Sequence, residues 1–483
     1  MQRFLAFLSI IYLIVPIGGV CAQSKIEIIN ADEISFNQKL NKNRQVLRGN
    51  VKTKHKNRIM TCDSAYYYLN ENKIEAFNNI HIWEEDQITI RGEYLIYHGN
   101  EQLAEIEQKV IFIHKDMRLS SRKVLYNFTS KKASFNQQAY IKQNQKSISS
   151  KEGVYDIQEE KFNFYKEVIL TDDIDTLIAD SVYYSLKTEE ATFSSHVTLK
   201  NESMQINAKS GWLNKSNGDA TLQGEVQIHH LIDGAKLFSD HYRIDGEKNT
   251  SISYGNALIE IPRKQDTLYL MGDTLHYSEY NDIAIFTAGP MAAFHSKEIT
   301  GKCDSLSYKK SQKEMNLFFL PAIWINEFLL TADTITVKLE PGDFVKEIDL
   351  NKNAFISSKL NNQQFNQIKG EEMNAHFLRN KISNIEVDGN GESLYYVEEE
   401  NQKTARGVNK VICSHMNISI YSNKIKNITF YENADASIKP IEQVNPEYMQ
   451  LKNFIWYEKQ KTSLIIDERI NKYKDLFESK IIP

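Results

Sequence analysis

The stretch Gln87–Tyr97, QITIRGEYLIY, carries two sets of apolar residues that are out of phase with each other. Ile90 precedes Gly92 by two residues, whereas Leu95 and Tyr97 follow it by three and five. Because side chains of a strand alternate between faces, a straight strand would place these sets on opposite faces. A bend or bulge at the small residue would turn both sets into one interior. The stretch therefore predicts a strand that crosses from one sheet to a facing sheet.

The same pattern recurs along the chain as a small residue, often Asp or Glu, any residue, an apolar residue, any residue, and an aromatic or apolar residue. Clear copies start at Cys62, Ala179, Gly272 and Cys303. The small residues occupy positions 31, 62, 92, 121, 150, 179, 208, 239, 272, 303, 332, 370 and 413, with a degraded last copy at Leu451. The spacings of 29–43 residues predict about fourteen stacked hairpin repeats of two strands each.

Composition supports an ordered, strand-rich chain of 483 residues, with 41% hydrophobic residues, 25 Tyr and 23 Phe. The chain has only 8 prolines, which suits regular hydrogen-bonded structure. A formal net charge of −5 gives no basic surplus, so the charge balance excludes a typical nucleic-acid-binding protein.

The N-terminus predicts export. Arg3 is followed by the uncharged apolar run Phe4–Val20 and a small residue at Ala22, which is typical of a secretory signal peptide over residues 1–22. An uncleaved anchor and a lipoprotein acylated at Cys21 are the alternatives. No later stretch approaches the length of a membrane-spanning segment.

The repeated anchor, the elements Gly49-Asn50-Val51 and Gly255-Asn256-Ala257, and the secretory start resemble the OstA-like (organic-solvent-tolerance-like) proteins. These include the periplasmic bridge protein of lipopolysaccharide transport. The resemblance runs from about Ile26 to Ala332 and, more loosely, to about Trp456. It implies an all-β fold, an elongated, open, V-shaped β-jelly-roll whose groove carries acyl chains. This chain is much longer than the usual single-jelly-roll subunit.

The repeat pattern predicts four segments. Residues 1–22 form the signal peptide, 23–331 a regular OstA-like β-repeat array, 332–463 a continuation with degenerate repeats, and 464–483 a C-terminal amphipathic helix. In the helix, Ile465, Ile466, Ile470, Tyr473 and Phe477 recur at helical spacing. Its expected role is to cap the last sheet edge, with docking of a partner as the alternative.

The predicted lipid groove is lined by the apolar residues that follow the small residue by three and five positions. They are Leu95, Tyr97, Val124, Tyr126, Val182, Tyr184, Leu275, Tyr277, Leu306 and Tyr308. These positions suit either a dry core or a groove with amphipathic rings at its mouth, and the residues alone leave both interpretations open.

No residue pattern predicts catalysis, a metal site or a cofactor. Cys62, Cys303 and Cys413 replace Ala, Gly or Ser at the small position, so we expect free, buried thiols. The acidic cluster at 172–175 lacks the ligand spacing of a calcium loop. On a strand, His229 and His230 would point to opposite faces.

The resemblance implies a periplasmic, non-enzymatic, lipid-binding bridge, secreted by its signal peptide and associated with the outer membrane. Expected partners are lipopolysaccharide or a related outer-membrane lipid and the inner- and outer-membrane components of the transport machinery, with end-to-end self-association as an option. We expect no nucleic-acid partner. A structural or adhesive repeat protein without a lipid ligand is the alternative, and a carbohydrate-active β-helix is disfavoured by the hairpin turns and the lack of a carboxylate site.

Overall fold

The computed structural model describes residues 24–36, 43–84, 88–172, 174–263, 266–280, 283–341, 344–398, 405–422 and 424–478. The predicted signal peptide, including Cys21, lies outside these residues. The chain divides into two compact units. The first comprises residues up to Gln145 together with Lys151–Glu159, and the second comprises Lys146–Ser150 and the chain from Glu160 onward.

The first unit consists of antiparallel strands joined by short turns, as the alternating pattern predicts. Its strands, numbered along the chain, are β1 (Glu27–Asn30), β2 (Glu33–Phe36), β3 (Arg44–His55), β4 (Arg58–Tyr68), β5 (Lys73–Glu84), β6 (Ile88–His98), β7 (Leu103–His114), β8 (Met117–Asn127), β9 (Lys132–Phe135), β10 (Ala139–Gln143) and β12 (Glu152–Asp156). Among the described strands, β1 and β2 pair only with β3, so their outer edges carry free backbone groups.

The second unit begins with long, regular strands. They are β11 (Lys146–Ser150), β13 (Lys161–Thr171), β14 (Thr176–Ser185), β15 (Glu190–Lys200), β16 (Met204–Asn214), β17 (Ala220–His230) and β18 (Lys236–Asp245). Shorter strands follow, because each crossing strand is now interrupted near its middle. They are β19 (Thr250–Tyr254), β20 (Leu258–Pro262), β21 (Thr267–Met271), β22 (Thr274–Tyr280), β23 (Ile283–Gly289), β24 (Ala292–His295), β25 (Ile299–Cys303), β26 (Ser305–Lys309), β27 (Glu314–Phe318), β28 (Ala322–Ile325), β29 (Phe328–Thr331) and β30 (Thr334–Leu339).

The last strands of the second unit include the four longest described strands, β31 to β34, which accounts for the wider spacing of the last repeats. They are β31 (Val345–Lys359), β32 (Phe365–Leu378), β33 (Lys381–Glu398), β34 (Ala405–Tyr421), β35 (Lys424–Tyr431) and β36 (Asp435–Pro440). Two 3₁₀ turns, Ile441–Gln443 and Pro446–Met449, and the helix α1 (Lys459–Glu478) complete the chain. Leu451 lies after the second 3₁₀ turn and not in a strand, so the predicted fourteenth repeat is wrong.

Each crossing strand bends at a bulge whose extra residue lies on the returning strand. In the pair β3–β4, Arg48 faces Ser64 and Val51 faces Cys62. Gly49 and Asn50, with φ of 72° and 44°, therefore lie opposite the single residue after the small one. The sequence predicts the bend at the small residue itself. The structure places the left-handed backbone opposite it, and Gly and Asn tolerate that conformation best.

The same two-residue bulge recurs along both units. Arg379–Asn380 is a consecutive left-handed pair in the hairpin turn between β32 and β33. The consecutive left-handed pairs at bulges are Asn78–Asn79, Gln108–Lys109, Lys166–Glu167, Ser195–His196, Gly224–Glu225, Gly255–Asn256, Phe319–Leu320, Lys352–Asn353, Gly389–Asn390 and Glu432–Asn433. We call this line of bulges the corner. It divides each sheet into half-sheet A, which precedes the small residue of an anchor strand, and half-sheet B, which follows it.

Both half-sheets face one interior within each unit, as the phase change predicts. In the first unit, Phe112 of half-sheet A contacts Tyr126 of half-sheet B, with ring centres 5.3 Å apart. In the second unit, Ile323 and Leu330 of half-sheet A share one buried cluster with Leu317 of half-sheet B. Burial of apolar side chains from both halves is the main stabilising contribution to such an array.

Gly301 is the one position where glycine replaces the large apolar residue two before the small one. It pairs with Phe294 across β24 and β25. A Cβ atom added at Gly301 would lie 2.2 Å from the Phe294 ring. The phenyl ring therefore fills the volume that the other repeats fill with a residue at the glycine position.

The first repeat departs from the predicted register. The pairing of β1 with β3 is irregular between Ile28 and Asn30, and Ile28 faces the buried Thr53. Ile29, the residue predicted to point inward, is 50% exposed. The one-residue irregularity moves it to the other face.

The C-terminal helix does not cap the last sheet edge. Ile466, Ile470 and Tyr473 pack against Phe238 and Met271 on the outer face of half-sheet A. The chain before the helix also covers outer faces: the carbonyl of Tyr457 accepts a hydrogen bond from Trp324, and Leu451 is buried against neighbouring strands. An amphipathic pattern shows that one helix face is buried, but it does not say against which strands.

Candidate functional site

The ten predicted groove residues all lie on the inward side of half-sheet B. Leu95, Tyr97, Val124 and Tyr126 belong to the first unit, and each is at most 6% exposed. In the second unit the strand register joins Leu275 to Leu306 through Ala288, and Tyr277 to Tyr308 through Phe286. Tyr277 and Tyr308 are only half-buried, whereas Val182, Tyr184, Leu275 and Leu306 are buried.

The interior of the second unit is tightly packed at its end but looser in the middle. The inward residues Leu317, Ile335 and Ile348 are fully buried. Inward residues between β16 and β23 remain half-buried although they are large and apolar: Ile206, Leu213, Ile228, Leu237, Ile244, Tyr277 and Phe286. We call this stretch the half-open segment. An array that served only as a core would bury these side chains as completely as the others.

The margins of the two half-sheets, at the hairpin turns opposite the corner, are joined by polar contacts in the first unit. Arg58 of half-sheet A donates to Glu84 at 3.0 Å and, across the interior, to the Tyr97 hydroxyl at 3.1 Å. Lys131 of half-sheet B donates back to Glu84 at 2.7 Å. His55 lies 2.5 Å from the same tyrosine hydroxyl. These side chains are buried or largely buried, so the contacts close the interior along this margin.

The first unit repeats this arrangement one repeat pair further along, where His114 Nδ1 lies 2.8 Å from the Tyr155 hydroxyl. The first unit thus joins a basic or imidazole side chain of half-sheet A to an anchor tyrosine of half-sheet B. We call these contacts, with their counterparts in the second unit, the polar seam.

In the second unit the polar seam is made by two lysines. Lys146 Nζ lies 3.2 Å from the Tyr184 hydroxyl and 2.6 Å from Glu189 Oε1. Lys215 of half-sheet B forms an ion pair with Asp172 of half-sheet A. Below these contacts lies a cavity of about 200 Å³ lined mostly by apolar side chains.

Burial and neighbouring charges shift the titration of the seam residues. Burial raises the pKa of Tyr97 above its usual value, against the opposing effect of Arg58. Burial also lowers the pKa of His55, and Arg58 adds to that effect. Burial opposes protonation of Lys146, but its hydrogen bonds to Glu189 and Tyr184 outweigh this and raise its pKa. At neutral pH Tyr97 is therefore a neutral hydrogen-bonding group and Lys146 is a cation.

The recurring anchor acids support the corner. Asp63 accepts a hydrogen bond from Asn79 Nδ2 at 2.9 Å, and Asp240 accepts one from Asn256 Nδ2 at 2.6 Å. In each case the asparagine is the second left-handed residue of the facing bulge. The anchor carboxylate thus stabilises the bend, as expected of a structural and not a catalytic residue.

The remaining candidate groups form ordinary structural contacts. Cys62, Cys303 and Cys413 are free and buried. Burial raises the pKa of both Cys62 and Cys303 to about 12. Asp172 Oδ1 accepts the backbone N–H of Asp175, which closes a turn. Within the described ranges, no group of three or more His, Cys, Asp and Glu side chains is arranged to hold a metal ion.

The polar seam was not predicted from the sequence, although a signal exists. Arg58 and Lys146 each lie four residues before a small anchor residue. Each contacts the tyrosine five residues after the next anchor, so the two partners are 39 and 38 residues apart. A repeat alignment that compared polar residues across neighbouring copies would have shown this spacing.

In the part of the chain that the structure describes, no helix is both long enough and apolar enough to span a membrane. No curated protein matches the chain. A family model described as OstA-like protein matches residues 23–180, which ends at the anchor of β14. The match confirms the resemblance over this part, although the same bulged strands continue beyond it. Over residues 23–180 the chain is similar to the OstA-like proteins.

Proposed function

We propose that this protein is a periplasmic lipid-binding bridge that takes part in transport of lipopolysaccharide to the outer membrane and in assembly of that membrane. Acyl chains would be carried between half-sheets A and B. The half-open segment is the observation that carries this proposal, because it leaves large inward apolar side chains half-buried. Association with apolar chains would remove that surface from water.

The OstA-like match supports a transport or binding role over an enzymatic one. We propose lipopolysaccharide or a related outer-membrane lipid as the ligand, and the inner- and outer-membrane components of the transport machinery as partners. The free edges of β1 and β2 support strand addition by such a partner or by a second copy of the chain. Export through the predicted signal peptide belongs to the same proposal.

A structural or adhesive repeat protein without a lipid ligand is the competing function. It requires a dry interior throughout, as the chain has around Leu317 and Ile335. The half-open segment favours lipid binding over this alternative, since an unfilled apolar interior forgoes packing contacts.

Adjacent tyrosines on β14 provide a matched test. Tyr184 points into the interior and is 3% exposed, whereas Tyr183 points outward and is 39% exposed. A photoreactive phenylalanine analogue at each position keeps the aromatic ring in place. We expect the protein purified from the periplasm to crosslink lipid from position 184 and not from position 183, with copurified lipid detected by mass spectrometry. Absence of lipid at position 184, or equal crosslinking at both positions, would contradict the proposal.

A further inference from the structure

The cavity of the second unit lies where half-sheets A and B approach each other at their margins. Leu170, Leu177, Leu199 and Ile206 line it from half-sheet A, and Tyr184 and Leu213 line it from half-sheet B. Its volume of about 200 Å³ is below the ~300–1,000 Å³ of typical small-molecule sites. Its size and apolar lining suit one hydrocarbon chain and not a bulky, multi-chain lipid.

Three lysines surround this apolar opening. Lys146, Lys200 and Lys215 are all part of its lining. Lys146 and Lys215 line the same opening. Burial lowers the pKa of Lys215, and repulsion by the charge of Lys146 adds to that effect. An additional anion between them would relieve that repulsion.

Glu189 is the internal carboxylate best placed to give way to such an anion. It contacts Lys146 at 2.6 Å, yet 42% of its side chain is exposed. Its backbone is left-handed, with φ of 55°, in the turn that joins β14 and β15. An exposed carboxylate loses little by returning to water, whereas Lys146 is held beside the cavity by the Tyr184 hydroxyl.

We propose that this opening binds a single-chain amphiphile with a carboxylate or phosphate head group, whose chain enters the cavity and whose anion replaces Glu189 on Lys146. The proposal rests on the proposed function for the presence of acyl chains in the interior. It adds a defined head-group position and the chemical class of that group. A fatty acid and an alkyl phosphate share this chemistry, and separate probes distinguish them.

The test compares probes of equal chain length: dodecanoate, dodecyl phosphate and dodecanol, each titrated into the mature protein by calorimetry. We expect the two anions to bind at least about tenfold more tightly than the alcohol, since a charge-assisted hydrogen bond is lost with the neutral head group. The tighter of the two anions identifies the head group.

Two variants then examine the assigned contacts. Lys146→Met should weaken binding of the anions by about tenfold and leave dodecanol unaffected. Glu189→Gln should instead strengthen binding of the anions, because it removes the competing carboxylate. Lys209→Met is the matched control: Lys209 pairs with Glu225, is 63% exposed and takes no part in the cavity lining, so its binding should equal that of the unaltered protein.

The outcomes separate this inference from the proposed function. If the anions and the alcohol bind with equal affinity, and neither Lys146→Met nor Glu189→Gln changes the affinity for the anions, the head-group site is overturned. Binding of the hydrocarbon chain in the interior would still stand. Failure of every probe to bind, together with absence of lipid crosslinking at position 184, overturns both. If Lys146→Met does not fold, Glu189→Gln alone decides, and unchanged or weaker anion binding by that variant refutes the exchange.

Discussion

Glu84→Gln should destabilise the first unit far more than removal of a surface carboxylate. The Glu84 side chain is 1% exposed and lies between Arg58, 8% exposed, and Lys131, 18% exposed. Loss of one member of a buried ion pair costs about 3–5 kcal/mol. We expect about 3 kcal/mol here, because the amide oxygen still accepts one hydrogen bond and Lys131 retains some contact with water.

Hydrogen exchange measured by mass spectrometry suits this prediction, because stability in a repeat array is local. A loss of about 3 kcal/mol should speed amide exchange in β4 and β5 by roughly a hundredfold, and exchange in β31–β34 should not change. Glu33→Gln is the matched control, because the Arg48–Glu33 pair is 63% and 57% exposed and contributes about 0–1 kcal/mol. If the amides of β4 and β5 exchanged at the same rate in the two variants, the buried ion pair would not contribute the expected stability.

Three further predictions follow from burial. Gly301→Ala should destabilise its repeat by about 1–3 kcal/mol in urea unfolding, and Phe294→Leu in the same chain should restore part of the loss; an additive double variant would contradict the clash. Because burial lowers the pKa of His55 in the folded state, the stabilising contribution of this histidine is present above about pH 6.5 and is lost as the pH falls through the lowered folded pKa. His55→Gln should therefore make the midpoint of thermal unfolding less dependent on pH on the acid side. If the pH profile of the midpoint did not change in this variant, His55 would make no such contribution. A thiol reagent at pH 8 should label no cysteine of the native mature protein and three after denaturation, and rapid native labelling would contradict the buried anchor positions of Cys62, Cys303 and Cys413.

The local features of this fold could be predicted because they repeat with the strand period. The phase change between Ile90 and Leu95 required a bend in the strand. In the structure this bend lies at the bulge formed with the facing strand. The small residues at Cys62 and Cys303 were recognisable because every copy presents the same packing environment. Alternation along one strand is a local property, so one chain with internal repeats is sufficient to find it.

The sequence was less informative wherever two partners come from different elements. Which strand carries the extra residue depends on both strands of a pair, since the bulge is a mismatch between them. The helix α1 packs against Phe238 and Met271, which lie about two hundred residues before it in the sequence. Leu451 shows that a weak match to the repeat pattern does not establish a strand. This residue is buried against Phe355 and Leu394 but belongs to the segment that precedes α1.

The residues alone were sufficient to predict the all-β array, the spacing of its repeats, the inward rows and the resemblance of the N-terminal part to the OstA-like proteins. The joining of the margins by Arg58, Lys131 and Lys146 is visible only in three dimensions, and so is the half-open interior between β16 and β23. The physical reason is distance along the chain. Side-chain alternation acts between neighbouring residues, whereas the polar seam and the looseness of the interior arise from how far two half-sheets approach each other, and no local pattern encodes that separation.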